Sequence, residues 1–144
     1  MFSNFGGYRG YCTHSSFGAF RMPVPAQNII YLEYVKKNNL ELKLSINELD
    51  IKGCYLNYKI LVSELSKLDG LLFCSSHMLP AQTKLRWLLY NAATENKAIV
   101  HFIFENIICE TSKDFRNIEE LIICRNEIQR EAGIAEKMKR LGVK

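Results

Sequence analysis

The sequence predicts an α/β domain, a three-layer sandwich on a four-stranded parallel sheet of order 2-1-3-4, closed by a long carboxy-terminal helix. Two observations predict it. Short strand-like runs alternate with helical segments in the order β-α-β-α-β-α-β-α, and right-handed crossovers then leave little choice but a parallel sheet with helices on both faces. Two of the runs, LLFCSS from Leu71 and Ile99 to Phe104, are apolar on consecutive residues, as in central strands buried on both sides.

Tyr8 to Thr13 reads as the first strand. Pro23 and Pro25 interrupt regular structure until Pro25 takes the first turn of a helix, where a missing N–H costs nothing. That helix runs to about Asn38, with Ile29, Ile30, Leu32 and Val35 as its buried side and Asn38-Asn39 as its stop. Leu40 to Ile46 alternates as LELKLSI, the period-two pattern of an edge strand with one polar face. Tyr55 to Leu65 forms a second helix. Asp69-Gly70 then leads into the central strand, whose carboxy end is Ser75-Ser76-His77. Pro80 opens a third helix to about Glu95, with Leu85, Leu88 and Leu89 facing inward, and the fourth strand ends at Glu105. Ile118, Leu121, Ile122 and Ile128 carry the helical spacing of the last element, which continues as a polar, basic extension over 129–144.

At 144 residues the chain is one domain, with 1–7 as a flexible amino terminus. Its composition, 48% hydrophobic and 24% charged, is that of a folded globular protein. Five widely spaced cysteines among apolar residues read as reduced, mostly buried thiols of a cytoplasmic protein, and without CxxC or His/Cys clustering no metal and no cofactor is expected. The amino terminus lacks the pattern of a signal peptide, and no apolar stretch approaches a membrane span of roughly 20 residues. The net charge of +4 gathers at the carboxy end, where a solvated helix face is a more ordinary reading than an anionic partner.

In a sheet of this order, ligands bind at the carboxy ends of strands 1 and 3, where successive connections leave in opposite directions. Those ends are Ser15-Ser16 and Ser75-Ser76-His77. With Arg21 above them and the first helix pointing in, they suit an anion such as phosphate or carboxylate, and Gln27 and Asn28 on that helix join them as binding candidates. Glu48 and Glu105 end strands 2 and 4 on the same rim and are the candidates for proton transfer. Each residue has a plainer reading as well. Ser15 and Ser16 fit turn caps equally well, Arg21 fits an ion pair with Glu48 or Glu105, and His77 reads as a loop residue before it reads as a base. His14 and His101 read as packing residues, and Arg9 belongs to the far end of the sheet. Phe17 and Phe20, flanking a glycine in a polar loop, offer faces on which a sugar or base could stack.

From Arg9 to Arg125 the chain resembles the sporadic carbohydrate cluster proteins, a small bacterial family found among genes for surface-polysaccharide and other glycan synthesis. The resemblance is carried by RGYCTHSSFGAFRMPVPAQN, Glu48, Gly53-Cys54-Tyr55, Leu68-Asp69-Gly70, Leu79-Pro80 and Glu105, and FRMPVPAQN is its most specific part. It implies a glycan setting without a defined reaction. A more distant resemblance is to the catalytic domain of serine recombinases, in the order of Gly10-Tyr11 to Ser15, Gln27, Gly53, Leu68-Asp69-Gly70, Leu79 and the strand before Glu105. It implies a resolvase-like fold with Ser15 at the place of the nucleophile. Recombinases also need several arginines around the scissile phosphate, but Thr13 stands where one is expected, SSHMLP replaces an arginine-bearing motif, and no helix-turn-helix segment follows.

These readings lead to a cytoplasmic protein of carbohydrate biosynthesis that binds or modifies an anionic sugar intermediate or sugar nucleotide, with catalysis left open. The other classes are a dimeric interaction module, with the final helix pairing with its counterpart in a homodimer, and a DNA-processing protein. Nucleic acid is the partner least expected.

Overall fold

The computed structural model describes residues 6–17 and 21–142. Strand β1 (Tyr8–Cys12) leads to helix α1 (Val24–Lys37), and β2 (Ile46–Asn47) to α2 (Leu56–Ser63). Strand β3 (Gly70–Phe73) leads to α3 (Thr83–Glu95), and β4 (Ile99–Phe102) to β5 (Ile107–Cys109) and the long α4 (Ser112–Arg140). The sheet order is β2-β1-β3-β4-β5. The first four strands are parallel, as the alternation requires, with Tyr8 opposite Gly70 and Gly70 opposite Ile99.

The fifth strand is an addition to the expected sheet. It runs antiparallel to β4, with Phe102 opposite Ile107, and the turn between them is closed by Asn106 at φ 56°. Glu105 therefore sits in a hairpin. The edge strand β2 is shorter than its LELKLSI pattern suggests. Glu41 and Lys43 exchange hydrogen bonds with Tyr8, but the Leu44 carbonyl is taken by Arg9 Nε at 2.6 Å and Leu44 itself is 82% exposed, so regular pairing resumes only at Tyr11 and Ile46.

Strand residues of one parity face α1, and those of the other face α2, α3 and the first half of α4. Gly10 lies under Tyr31 and His101 under Tyr34, both of α1, whereas Tyr11 and Phe73 meet Tyr58 and Phe102 on the opposite side. These are the three layers. The buried side of α1 is Gln27, Tyr31 and Val35, one turn apart, and the apolar Ile29 and Leu32 are exposed. A buried glutamine in that stripe is why hydrophobicity alone selects the wrong face. In α3 the buried set is Arg86, Leu89, Tyr90 and Ala93, with Leu88 outside, and the helix starts three residues after Pro80.

Helix α4 opens with a capping box in which Thr111 Oγ1 accepts from the Asp114 amide and the Asp114 carboxylate accepts from Thr111 N. Phe115, Ile118, Glu119 and Ile122 pack on the domain. Leu121 is exposed, and so is every residue from Asn126 to Arg140. The thiols divide likewise: Cys12, Cys74 and Cys109 are buried, Cys54 is half-buried and Cys124 is exposed. Among the described residues no helix is long and apolar enough to cross a membrane.

Candidate functional site

Strands β1 and β3 part at their carboxy ends because a side chain comes between them. The Tyr31 hydroxyl donates to the Tyr11 carbonyl and accepts from the Cys74 amide, bridging the two strands where direct pairing stops. Beyond this point the chain of β1 turns away under the control of Gln27. That side chain is fully buried. Its Nε2 donates to the carbonyls of Thr13 (2.7 Å) and Met22 (2.8 Å), and its Oε1 accepts from Thr13 N (3.0 Å). Gln27 thus clasps the strand end to the entry of α1 and has no group left for a ligand. Asn28 is drawn back too, accepting a weak hydrogen bond from the Cys12 thiol at 3.7 Å.

Ser15 and Ser16 are exposed on the turn that this clasp shapes, with Ser15 N donating to Thr13 Oγ1 at 3.1 Å. They line a polar cavity of about 60 Å³ together with Thr13, Glu48, Tyr55 and His77. Residues that follow β1 and β3 thus line one cavity in the gap between the parted strand ends. The third strand contributes His77, while Ser75 and Ser76 are buried beneath it. Burial lowers the affinity of the His77 ring for a proton, and Arg125 lowers it further against the opposing pull of Glu105. The balance favours the neutral imidazole.

Both carboxylates proposed for proton transfer have structural duties. Glu48 Oε1 accepts from the Tyr11 hydroxyl (2.9 Å) and Tyr58 N (3.0 Å), and Oε2 accepts from Leu49 N (3.1 Å) and Asn57 N (2.9 Å). It caps the amino-terminal turn of α2, satisfying amides that the helix cannot pair itself. Glu105 Oε2 accepts from the Ser75 hydroxyl and Ser76 N, both at 2.9 Å, and from the Ser76 hydroxyl. It fastens the end of β3 to the β4–β5 turn. Neither acid pairs with Arg21, which is exposed and lines a separate depression with His14 and Asp50. His14, expected to pack, is exposed there as well. Phe17 is buried against Phe104 and presents no stacking face, and Phe20 lies outside the described residues.

The residues that the sequence reading missed lie on α3 and α4. A second, wider groove of about 230 Å³ adjoins the cavity across Tyr55 and His77, and it is lined by Ser76, Arg86, Arg125, Asn126 and Gln129. Arg125 Nη1 donates to Ser76 Oγ at 2.8 Å and stands 4.0 Å from Glu105. Deeper in, Arg86 and Glu119 form a buried two-point ion pair of 2.7 and 2.8 Å, joined by the Tyr90 hydroxyl at 2.9 Å. The signal was available. Arg86 interrupts LRWLLY and Glu119 interrupts IEELII, and a charge inside an apolar helical stripe implies a buried partner.

Compared with known proteins, the chain matches no family model and no curated sequence. Its fold is similar to that in the crystal structure of the N-terminal catalytic domain of TP901-1 integrase, with a TM-score of 0.62 and 15% identity over 87% of this chain and 97% of that one. The domain therefore has a resolvase-like α/β fold, with a mainly parallel sheet and a long carboxy-terminal helix. Identity this low shows the fold alone.

Proposed function

We propose that the domain binds a small anionic carbohydrate intermediate, in the setting of glycan synthesis, at the carboxy edge of its sheet. The observation carrying this reading is the cavity in which Thr13, Ser15 and Ser16 from one strand end meet Tyr55 and His77. Four hydroxyls and a neutral imidazole are hydrogen-bonding groups without net charge, the kind that pair with sugar hydroxyls. The resemblance of FRMPVPAQN to the sporadic carbohydrate cluster proteins supports the setting, since this segment holds Gln27 and thereby shapes the turn that presents Ser15 and Ser16. With Glu48 and Glu105 both engaged in structural bonds, the reading is of a binding site.

The test is thermal stabilisation of the purified protein by a panel of sugar phosphates and nucleotide sugars. A rise in melting temperature that is lost in Ser15→Ala and in His77→Ala supports the reading. A panel without effect, or a rise that both variants retain, removes it.

A second reading, a dimeric interaction module, is favoured by the exposed half of α4, where Ile128, Ile134 and Met138, with Leu141 at the C-cap, are exposed apolar side chains. A DNA-cleaving role has less support: Thr13 stands in place of an arginine, and Arg86 is held in a buried ion pair.

A further inference from the structure

Two arginines line the groove beside the crevice, and they differ in how many donors they have left. Arg86 uses all five of its N–H groups: Nε and Nη2 on Glu119, Nη1 on the carbonyls of Pro80 and Ala81, and Nη2 again on Thr83 Oγ1. It also withdraws two carbonyl acceptors from the groove wall. Arg125 donates only from Nη1, to Ser76, so among the described residues its Nε and Nη2 have no acceptor. Its side chain is 21% exposed and lines the groove.

We propose that this groove is an anion subsite in which Arg125 binds the phosphate or carboxylate of a small hydroxylated ligand whose neutral end occupies the Ser15 cavity. The proposal rests on the crevice reading and assigns the two ends of the ligand. The cavity at Ser15 cannot take the anion, because the Glu48 carboxylate forms part of its wall. Nor can it take the bulk of a ligand. Sites for small molecules typically span about 300–1,000 Å³, and at about 60 Å³ this one admits only a few atoms, whereas the adjoining groove has about 230 Å³. Asn126 and Gln129, one helical turn apart with Arg125, add amide donors on the same wall. Arg21 is the weaker candidate for the anion, since its depression contains Asp50 and shares no lining residue with either compartment.

Ser76 and Glu105 give Arg125 a positioning shell. A guanidinium fixed at one edge presents its remaining N–H groups as a planar fork, which matches the oxygens of phosphate or carboxylate. Glu105 reduces the net charge of the pair, but its Oε2 is occupied by three donors from Ser75 and Ser76.

Titration calorimetry on the full chain tests this with inorganic phosphate, glucose 1-phosphate, gluconate and glucose. Glucose 1-phosphate and gluconate separate the two anion chemistries. In the expected result, Arg125→Gln weakens the anionic probes by about tenfold to a hundredfold and leaves glucose unaffected. Arg125→Lys retains part of the affinity, which also shows that position 125 can be changed without unfolding. Ser15→Ala weakens glucose 1-phosphate and leaves inorganic phosphate unchanged. If Arg125→Gln binds every anion as the wild type does, the subsite is overturned while the crevice reading stands. If inorganic phosphate binds through Arg125 and the sugar adds nothing, the crevice reading falls and the subsite stands. Absence of binding by all four probes overturns both.

Discussion

The ring of Tyr31 lies on the bare α-carbon of Gly10, so closely that a Cβ at that position would overlap it. This contact sets the height of α1 over the sheet. Only with the ring seated there does the Tyr31 hydroxyl reach both the Tyr11 carbonyl and the Cys74 amide. The separation of β1 from β3, and hence the crevice between Ser15 and His77, follows from a glycine in the middle of a strand.

Gly10→Ala should therefore destabilise the protein by about 1–3 kcal/mol, the ordinary cost of overpacking. Tyr31→Phe keeps the ring but leaves a buried carbonyl and amide unpaired, at a similar cost of about 1–3 kcal/mol. Urea melts measure both. A neutral Gly10→Ala would mean that α1 can lift without loss, and the crevice would then not depend on this contact.

The Arg86–Glu119 pair should be costly to break and cheap to replace. Both side chains are buried, at 4% and 7% exposure, so Glu119→Gln leaves a buried guanidinium short of its counter-charge, at about 3–5 kcal/mol. Replacing both with Met and Leu should recover most of that loss. Its pH dependence follows from Glu119, whose proton affinity is lowered mainly by the Arg86 hydrogen bonds. The contribution is present above the usual glutamate value of 4.5 and is lost as pH falls through the lower folded-state value. Chemical melts across the acid range, compared with the Met/Leu double variant, should show that slope only in the wild type.

His101 should make the domain sensitive to mild acid. Burial lowers its proton affinity below the usual 6.5. Its Nδ1 meets the Tyr34 hydroxyl at 2.6 Å, and its Nε2 is buried without a hydrogen-bond partner among the described residues. Well above pH 6.5 the ring is neutral in both the folded and unfolded states and contributes nothing. As pH falls below that value the unfolded chain takes up the proton first, so stability declines until the folded-state value is passed. His77 is shifted in the same direction and adds to the effect. The double variant His77→Gln, His101→Phe should flatten the profile of melting temperature between neutrality and pH 5, and an unchanged slope would assign the acid sensitivity to other groups.

The sheet order was legible because parallel topology is dictated by alternation, and alternation is a property of segments rather than of single residues. That residues of the β1 and β3 ends would line one cavity was legible for the same reason, since the switch point between β1 and β3 depends on order alone. Roles within it were less so. Gln27, Glu48 and Glu105 were polar residues near that rim, but each pairs with groups 9 to 37 residues away whose positions only folding brings together. Arg125 was hidden differently. It belongs to a helix that looks like a basic extension, and its meeting with Ser76, 49 residues earlier, depends on how far α4 runs beside α3.

The outer half of α4 should be a helix only in company. From Asn126 to Arg140 every residue is exposed, with only Asn126 and Gln129 lining the groove beside the domain, and an isolated helix of about 15 residues is marginal in water. Its acid–base pairs, Glu127 with Arg130 and Glu136 with Arg140, are exposed and worth about 0.3–0.5 kcal/mol each, too little to hold it. What it does have is an apolar stripe: Ile128, Ala135 and Met138 fall at seven- and three-residue steps, flanked by Ile134 and Leu141, which is the spacing of a two-helix seam. A second copy of the chain would cover that stripe. The expected results are a dimer by light scattering, a melting temperature that rises with protein concentration, and a monomer with reduced helical circular dichroism in Ile128→Glu, Met138→Glu. If the wild type is monomeric at all concentrations with α4 fully helical, self-association is removed and the stripe must serve a different partner.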